Sequence, residues 1–161
     1  QLDLLLIALP YEVGELETMA LGEDRILAAM PARHRLARYR QIERAELSRE
    51  PLLLMEDGHC LRSHALRACR LGKAGDNEEF QGTSLRTLLQ MTAGGLGVTL
   101  LPEMAVASEI TPGSGLVARR LVGDPSRSIA LVWRRGCARK QEFRSFGRYL
   151  KSVLDGANGP L

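Results

Sequence analysis

The sequence predicts an α/β fold, on three observations. Short apolar runs of buried-strand type recur along the chain, at Leu2 to Leu9, Arg25 to Met30, Pro51 to Glu56 and Gly97 to Leu101. Segments with helical spacing lie between them, and turn residues punctuate the junctions. Strands that alternate with helices imply parallel pairing, because a helix must return the chain before the next parallel strand begins.

In order, Leu2 to Leu9 is apolar apart from Asp3 and reads as a strand from the middle of a parallel sheet. Pro10 to Gly22 is polar and irregular, a connection or an exposed strand. Arg25 to Met30 is a second strand stopped by Pro31. A basic stretch follows, with Arg33, His34, Arg35, Arg38, Arg40 and Arg44, and Tyr39 as its only aromatic. The glutamates interleaved after it favour a solvated loop and short helix over a nucleic-acid patch.

Pro51 to Glu56 is strand-like and ends at the turn pair Asp57-Gly58. A helical pattern starts at Leu61 and places Leu61, Ala65, Ala68, Cys69 and Gly72 on one apolar stripe. Leu71 to Glu79 reads as a charged loop, and Glu79 to Ser84 as a short strand leading to a helix start. Thr83 or Ser84 caps a helix whose buried face is Leu85, Leu88, Leu89 and Thr92, and Gly94-Gly95 end it. Gly97 to Leu101 is again a strand, and Pro102 opens a short helix through Ser108. After a loop at Ile110 to Gly115 come strands at Leu116 to Val122 and Ser128 to Arg134. A last helix from Lys140 carries Phe143, Phe146, Leu150, Val153 and Leu154 on one face.

At 161 residues, 45% hydrophobic, the chain is long enough to bury a substantial core. A net charge of +3 is too small to argue for an anionic partner by itself. No apolar run approaches the roughly 20 residues of a membrane span, and a cytoplasmic location is the default expectation. Starting at Gln1 within two residues of an apolar strand, the sequence reads as a fragment with its upstream part missing.

Chemistry concentrates in Asp57 to Cys69, which holds two of the three cysteines and two of the three histidines. Cys60 falls at a helix N-terminus, where unpaired N–H groups favour a thiolate; His59 and Arg62 add to that effect. Cys69 lies nine residues on, about 13 Å along a helix, whereas a disulfide requires Cα atoms within about 7 Å. If the two ever pair, the helix between them must unwind. An odd cysteine count without framework spacing fits a reducing compartment.

A zinc site from His59, Cys60, His64 and Cys69 competes, but the spacing matches no zinc pattern. His64 reads as a surface residue or a modest thiolate stabiliser. His34 has no evident partner, and Cys137, in a basic loop, reads as incidental. Gly94-Gly95-Leu96-Gly97 ends a helix instead of starting one, the wrong geometry for a phosphate loop. No cofactor or metal is expected.

The run Leu54 to Arg62 with its Gly58-His59-Cys60 motif, the second cysteine at Cys69, Thr83-Ser84-Leu85, and Ala93 to Pro102 together resemble the regulatory domain of the hydrogen-peroxide sensors among the LysR-type transcriptional regulators. The likeness extends from Leu2 to about Leu154. It implies a two-lobed, periplasmic-binding-protein-like effector domain, with residues 1–24 and 128–161 in a first lobe incomplete at its N-terminus and residues 25–127 in a second lobe carrying the cysteines. The winged helix-turn-helix is absent, as is a threonine that lines the family's peroxide pocket.

By the same likeness Cys60 is the peroxidatic cysteine and Cys69 the resolving one, with His59 and Arg127 assisting the reaction with peroxide. The implied protein is a regulator and not an enzyme. Its implied partners are hydrogen peroxide, further copies in a homodimer or tetramer, DNA through the missing domain, RNA polymerase, and glutaredoxin or thioredoxin as reductant. Two alternatives stay open: a LysR-type domain that binds a small organic effector between its lobes, and a thiol-dependent peroxidase.

Overall fold

The structure, a computed structural model, describes residues 3–11, 14–56, 60–69 and 81–157. The expected loop at Leu71 to Glu79, the Asp57-Gly58 turn and His59 lie outside the described residues. The chain divides into two compact units, residues 1–24 with 127–161 and residues 25–126.

The first unit is built on β1 (Leu4–Leu9), the first half of β2 (Leu16–Pro31), β8 (Ser126–Arg134) and α5 (Lys140–Ala157). β8 lies between β1 and β2, and β1 runs antiparallel to it with Leu4 opposite Trp133 and Leu9 opposite Ser128. This corrects the expectation of a central parallel strand. A continuous apolar run says that both faces tolerate burial, but not which strand lies alongside; here β1 is the end strand of the described sheet, and Leu5 and Leu6 are 39% and 59% exposed.

β2 also begins earlier than expected, at Leu16, and so absorbs much of the polar stretch. The carboxylate of Glu17 accepts from Lys140 Nζ at 2.7–2.9 Å, which accommodates a charge on an exposed strand. That contact and the guanidinium of Arg144 hold the Glu17 carboxyl below its ordinary range.

The core of this unit is Leu21, Ile129, Leu131, Trp133 and Phe143, with Leu150 and Leu154 packed against it. Phe146 and Val153, expected on the same helix face, are about half exposed. At 100° per residue they sit about 60–80° round the helix from the Phe143–Leu150–Leu154 line, and Gly147 takes the inward position instead. A Cβ there would fall 2.6 Å from Met19 Sδ.

Trp133 is buried, yet its indole Nε1 has no hydrogen-bond partner among the described residues. An orphan buried donor costs about 1–3 kcal/mol. Trp133→Phe therefore leaves unfolding free energy within about 1 kcal/mol of the parent protein, whereas Trp133→Ala loses about 3–5 kcal/mol. Urea unfolding of both variants checks the contrast.

The second unit continues β2 and adds β3 (Gln41–Ile42), α1 (Arg44–Leu47), β4 (Leu52–Met55), α2 (Cys60–Cys69), β5 (Gln81–Gly82), α3 (Leu85–Ala93), β6 (Val98–Pro102), α4 (Val106–Glu109) and β7 (Leu116–Leu121). β4, buried at all four positions, is parallel to β5 on one side and β6 on the other. The helical returns through α2 and α3 require this. β2 instead pairs antiparallel with β6 and with β7, and β3 pairs parallel with β7, so the sheet is mixed. Ile26, Ala28, Met30, Leu52, Leu54, Val98 and Leu100 supply much of the main core.

The basic segment folds as a 3-10 turn at Arg35–Arg38 followed by the short helix α1, in keeping with the loop and short helix expected there. Glu46 takes Arg35 and Arg49 at 2.6 and 2.8 Å. His34 does have partners: its Nδ1 accepts from the Leu36 N–H, and its Nε2 lies 3.4 Å from Glu50.

Candidate functional site

α2 begins at Cys60 and ends at Cys69. Its first turn is tied to the end of β4 by Arg62 Nη1, which donates to the Met55 carbonyl at 3.3 Å. Leu61 packs against Leu53, Met55 and Leu88, and Ala65 and Cys69 enter the main core of the unit. These anchors leave the Cys60 side chain exposed and bury Cys69. The spacing of the apolar residues thus sets the two thiols in opposite environments on one helix.

Burial pushes the Cys69 thiol up to about 12, against a smaller opposing effect of the Arg44 guanidinium. Cys69 lines a small recess with Arg44, Leu47, Leu121, Val122 and Pro125. Both cysteines are free thiols, as is half-buried Cys137. Cys137 packs against the core of the first unit, a structural use that its basic neighbours did not announce.

His64 is 3% exposed, which corrects its reading as a surface residue. It directly precedes Ala65 and falls one turn after Leu61, on the flank of the buried stripe, so the packing of α2 takes it inward. His59 lies outside the described residues. Among the described residues no three His, Cys, Asp or Glu side chains are grouped to hold a metal ion.

Arg127, on β8, belongs to the first unit, where the expected boundary grouped it with the second. Its side chain is largely buried, and both Nε and Nη2 lie 2.9 Å from Asp24 Oδ2 on the neighbouring strand β2. Sequence reasoning passed over Asp24. Its partner is 103 residues away, and only strand pairing brings the two together.

The glycine motif after α3 has a structural account. Ser84 Oγ accepts from the Thr87 N–H at the helix start, and Gly95, at φ +85, occupies the left-handed position that follows the helix. Thr99 Oγ1 donates to the Leu53 carbonyl at 2.8 Å, locking β6 to β4.

A family model described as LysR substrate binding domain matches residues 1–155. The chain belongs to that family. Among relatives of this LysR substrate-binding domain, a probable hydrogen peroxide-inducible genes activator of Streptomyces viridosporus is 39% identical over 156 residues, 96% of this chain and 50% of the relative. The chain spans about half the length of the curated relatives it matches.

The reduced regulatory domain of OxyR2 from Vibrio vulnificus superposes with a TM-score of 0.82 at 33% identity, covering 94% of this chain and 72% of that one. An H2O2-bound cysteine-to-serine mutant of OxyR from Corynebacterium glutamicum superposes with a TM-score of 0.87 at 28% identity, covering 96% and 50%. The mixed α/β architecture is therefore that of the OxyR regulatory domains, periplasmic-binding-protein-like, in two units. Among the described residues no helix is long and apolar enough to cross a membrane.

Proposed function

We propose that this chain is the peroxide-sensing part of a LysR-type transcription activator, with Cys60 as the reacting thiol. The observation that carries the reading is the contrast along α2: an exposed thiol at the helix start and a buried, strongly protonated one at its end. The names of the relatives, peroxide-inducible activators and OxyR, support it.

In the proposed chemistry the Cys60 thiolate attacks one peroxide oxygen, the O–O bond breaks, and hydroxide leaves, giving a sulfenic acid. The Cys69 sulfur then displaces that oxygen as water, so two thiols supply the two electrons that reduce one peroxide. His59 and Arg127 assist the first step. Because Cα atoms about 13 Å apart in a helix are beyond disulfide reach, the second step requires α2 to unwind, and that remodelling is the signal. It acts through contacts between copies of the protein, as dimer or tetramer, on a DNA-binding domain and RNA polymerase. A dithiol reductant such as glutaredoxin or thioredoxin resets it.

One equivalent of hydrogen peroxide is expected to yield a single Cys60–Cys69 disulfide by peptide mapping, with loss of helical signal in circular dichroism. Recovery of Cys60 unmodified overturns the reading. A sulfenic acid at Cys60 without the linkage overturns only the disulfide step, and repeated turnover with a thiol donor marks a peroxidase instead.

A further inference from the structure

Cys69 is the single residue that α2 contributes to the small recess it lines in the second unit. The remaining walls, Arg44, Leu47, Leu121, Val122 and Pro125, come from α1, from the end of β7 and from the turn that follows it. Of these lining residues Arg44 alone is a cation. It stands exposed on α1, and among the described residues no carboxylate lies within ion-pair distance of it. The charges around it are engaged elsewhere: Glu46 with Arg35 and Arg49, Arg120 with Asp124 at 3.5 Å, and Arg119 with the Ala37 carbonyl at 2.8 Å. On α2 itself, His64 is buried and Arg67 faces solvent.

Two opposed effects act on the Cys69 thiol: burial disfavours the thiolate, and the Arg44 guanidinium favours it to a smaller extent. They part company when α2 unwinds. Burial depends on the packing of the helix and is relieved as the helix loosens. Arg44 is carried by α1, which the unwinding of α2 does not require to move, so its charge stays at the recess. The remodelling that frees Cys69 to reach Cys60 thus also turns its surroundings towards the thiolate.

We propose that Arg44 is the positioning residue for the second step of the peroxide response, holding at the recess a positive charge that favours the Cys69 thiolate once α2 loosens. This rests on the reading of Cys69 as the resolving thiol. In that step the Cys69 thiolate attacks the Cys60 sulfenic sulfur, the S–S bond forms as the S–O bond breaks, and the departing hydroxide takes up a proton to become water. Hydrogen peroxide has already supplied the oxidation in forming the sulfenic acid.

Lowering a thiol's pKa by one unit raises its thiolate fraction about tenfold and lowers its nucleophilicity about threefold, a net gain of about threefold. A single nearby cation in a partly solvated site is worth about one such unit. The test mixes the full chain with hydrogen peroxide, quenches at intervals, and follows the Cys60 sulfenic acid and the Cys60–Cys69 disulfide by mass spectrometry from pH 6 to 8. Variants are Arg44→Lys, Arg44→Gln and Arg44→Glu, each with its melting temperature, and the disulfide step is scaled to the sulfenylation step of the same variant. Arg44→Lys is expected to match the parent protein, Arg44→Gln to be about threefold slower and Arg44→Glu about tenfold slower, with the spread narrowing in high salt. Arg44→Gln carries the test where Arg44→Glu does not fold.

A disulfide that forms at one rate across the series overturns the role of Arg44 and leaves the reading of Cys69 standing. Arg44→Lys as slow as Arg44→Gln also overturns it, because a structural contact and not a charge is then at work. Absence of the Cys60–Cys69 disulfide in the parent protein overturns the reading of Cys69 and the inference with it.

Discussion

Alkylation of Cys69 at pH 8 should be about a thousandfold slower in the folded protein than in the urea-unfolded chain. A cysteine at its ordinary value of 9.0 is about one tenth thiolate at that pH, whereas one titrating near 12 is thiolate about once in ten thousand molecules. The cause is desolvation: Cys69 lies among the apolar residues of the main core, and the nearby Arg44 only partly compensates. Mass spectrometry with a pulsed alkylating agent reads both rates, and the exposed Cys60 serves as the internal positive control. Comparable folded and unfolded rates at Cys69 would remove the contrast on which the proposed function rests.

The same shift makes the fold sensitive to alkali. With its pKa raised from 9.0 to about 12, the thiol holds its proton more tightly in the folded protein than in the unfolded chain. Its contribution is therefore fully present below about pH 9 and is lost as pH rises towards 12, at about 1.4 kcal/mol per unit and about 4 kcal/mol in all. Equilibrium unfolding of the protein and of Cys69→Ala across pH 8 to 11 isolates the effect. The parent curve should fall more steeply than the variant's, and parallel curves would show that Cys69 is not the titrating group.

Gly97→Ala is expected to be the most damaging small substitution in the second unit. A Cβ at this position would lie 2.3 Å from the Pro51 carbonyl oxygen, a backbone atom that no side-chain rotation can move away. That carbonyl accepts from the Val98 N–H at 2.9 Å, and the next residues form the register Leu52 to Val98 and Leu53 to Thr99. Relief of the clash must separate β4 from β6 at the centre of the sheet, disturbing the buried Thr99 hydrogen bond as well. Overpacking of this kind costs about 3 kcal/mol, which lowers the melting temperature by about 6–12 °C for a domain of this size. A fall below 2 °C in thermal unfolding would show that the strands tolerate the added methyl group.

Local periodicity and turn chemistry made the helices and the β4–β6 region legible. The stripe from Leu61 through Ala65 to Cys69 places α2 correctly, and Ser84 with Gly94-Gly95 marks the ends of α3. The strand pairings were less legible because hydrogen-bond partners carry no local signature: β1 is antiparallel and terminal in the described sheet, where its composition read as central and parallel. For the last helix, a spacing of three or four residues marks an apolar side without fixing its centre. Phe146 and Val153 consequently looked as buried as Phe143.

What the sequence alone determined is the family and the opposition of the two thiols. Both follow from short-range order, a motif beside a helix start and an apolar spacing within one helix. Only the tertiary structure decided that His64 goes inward, that Cys137 serves a core, and that Asp24 grips Arg127 across 103 residues. Those depend on which surfaces meet once distant strands pair. That choice is made by the packing of the whole chain and by no segment of it.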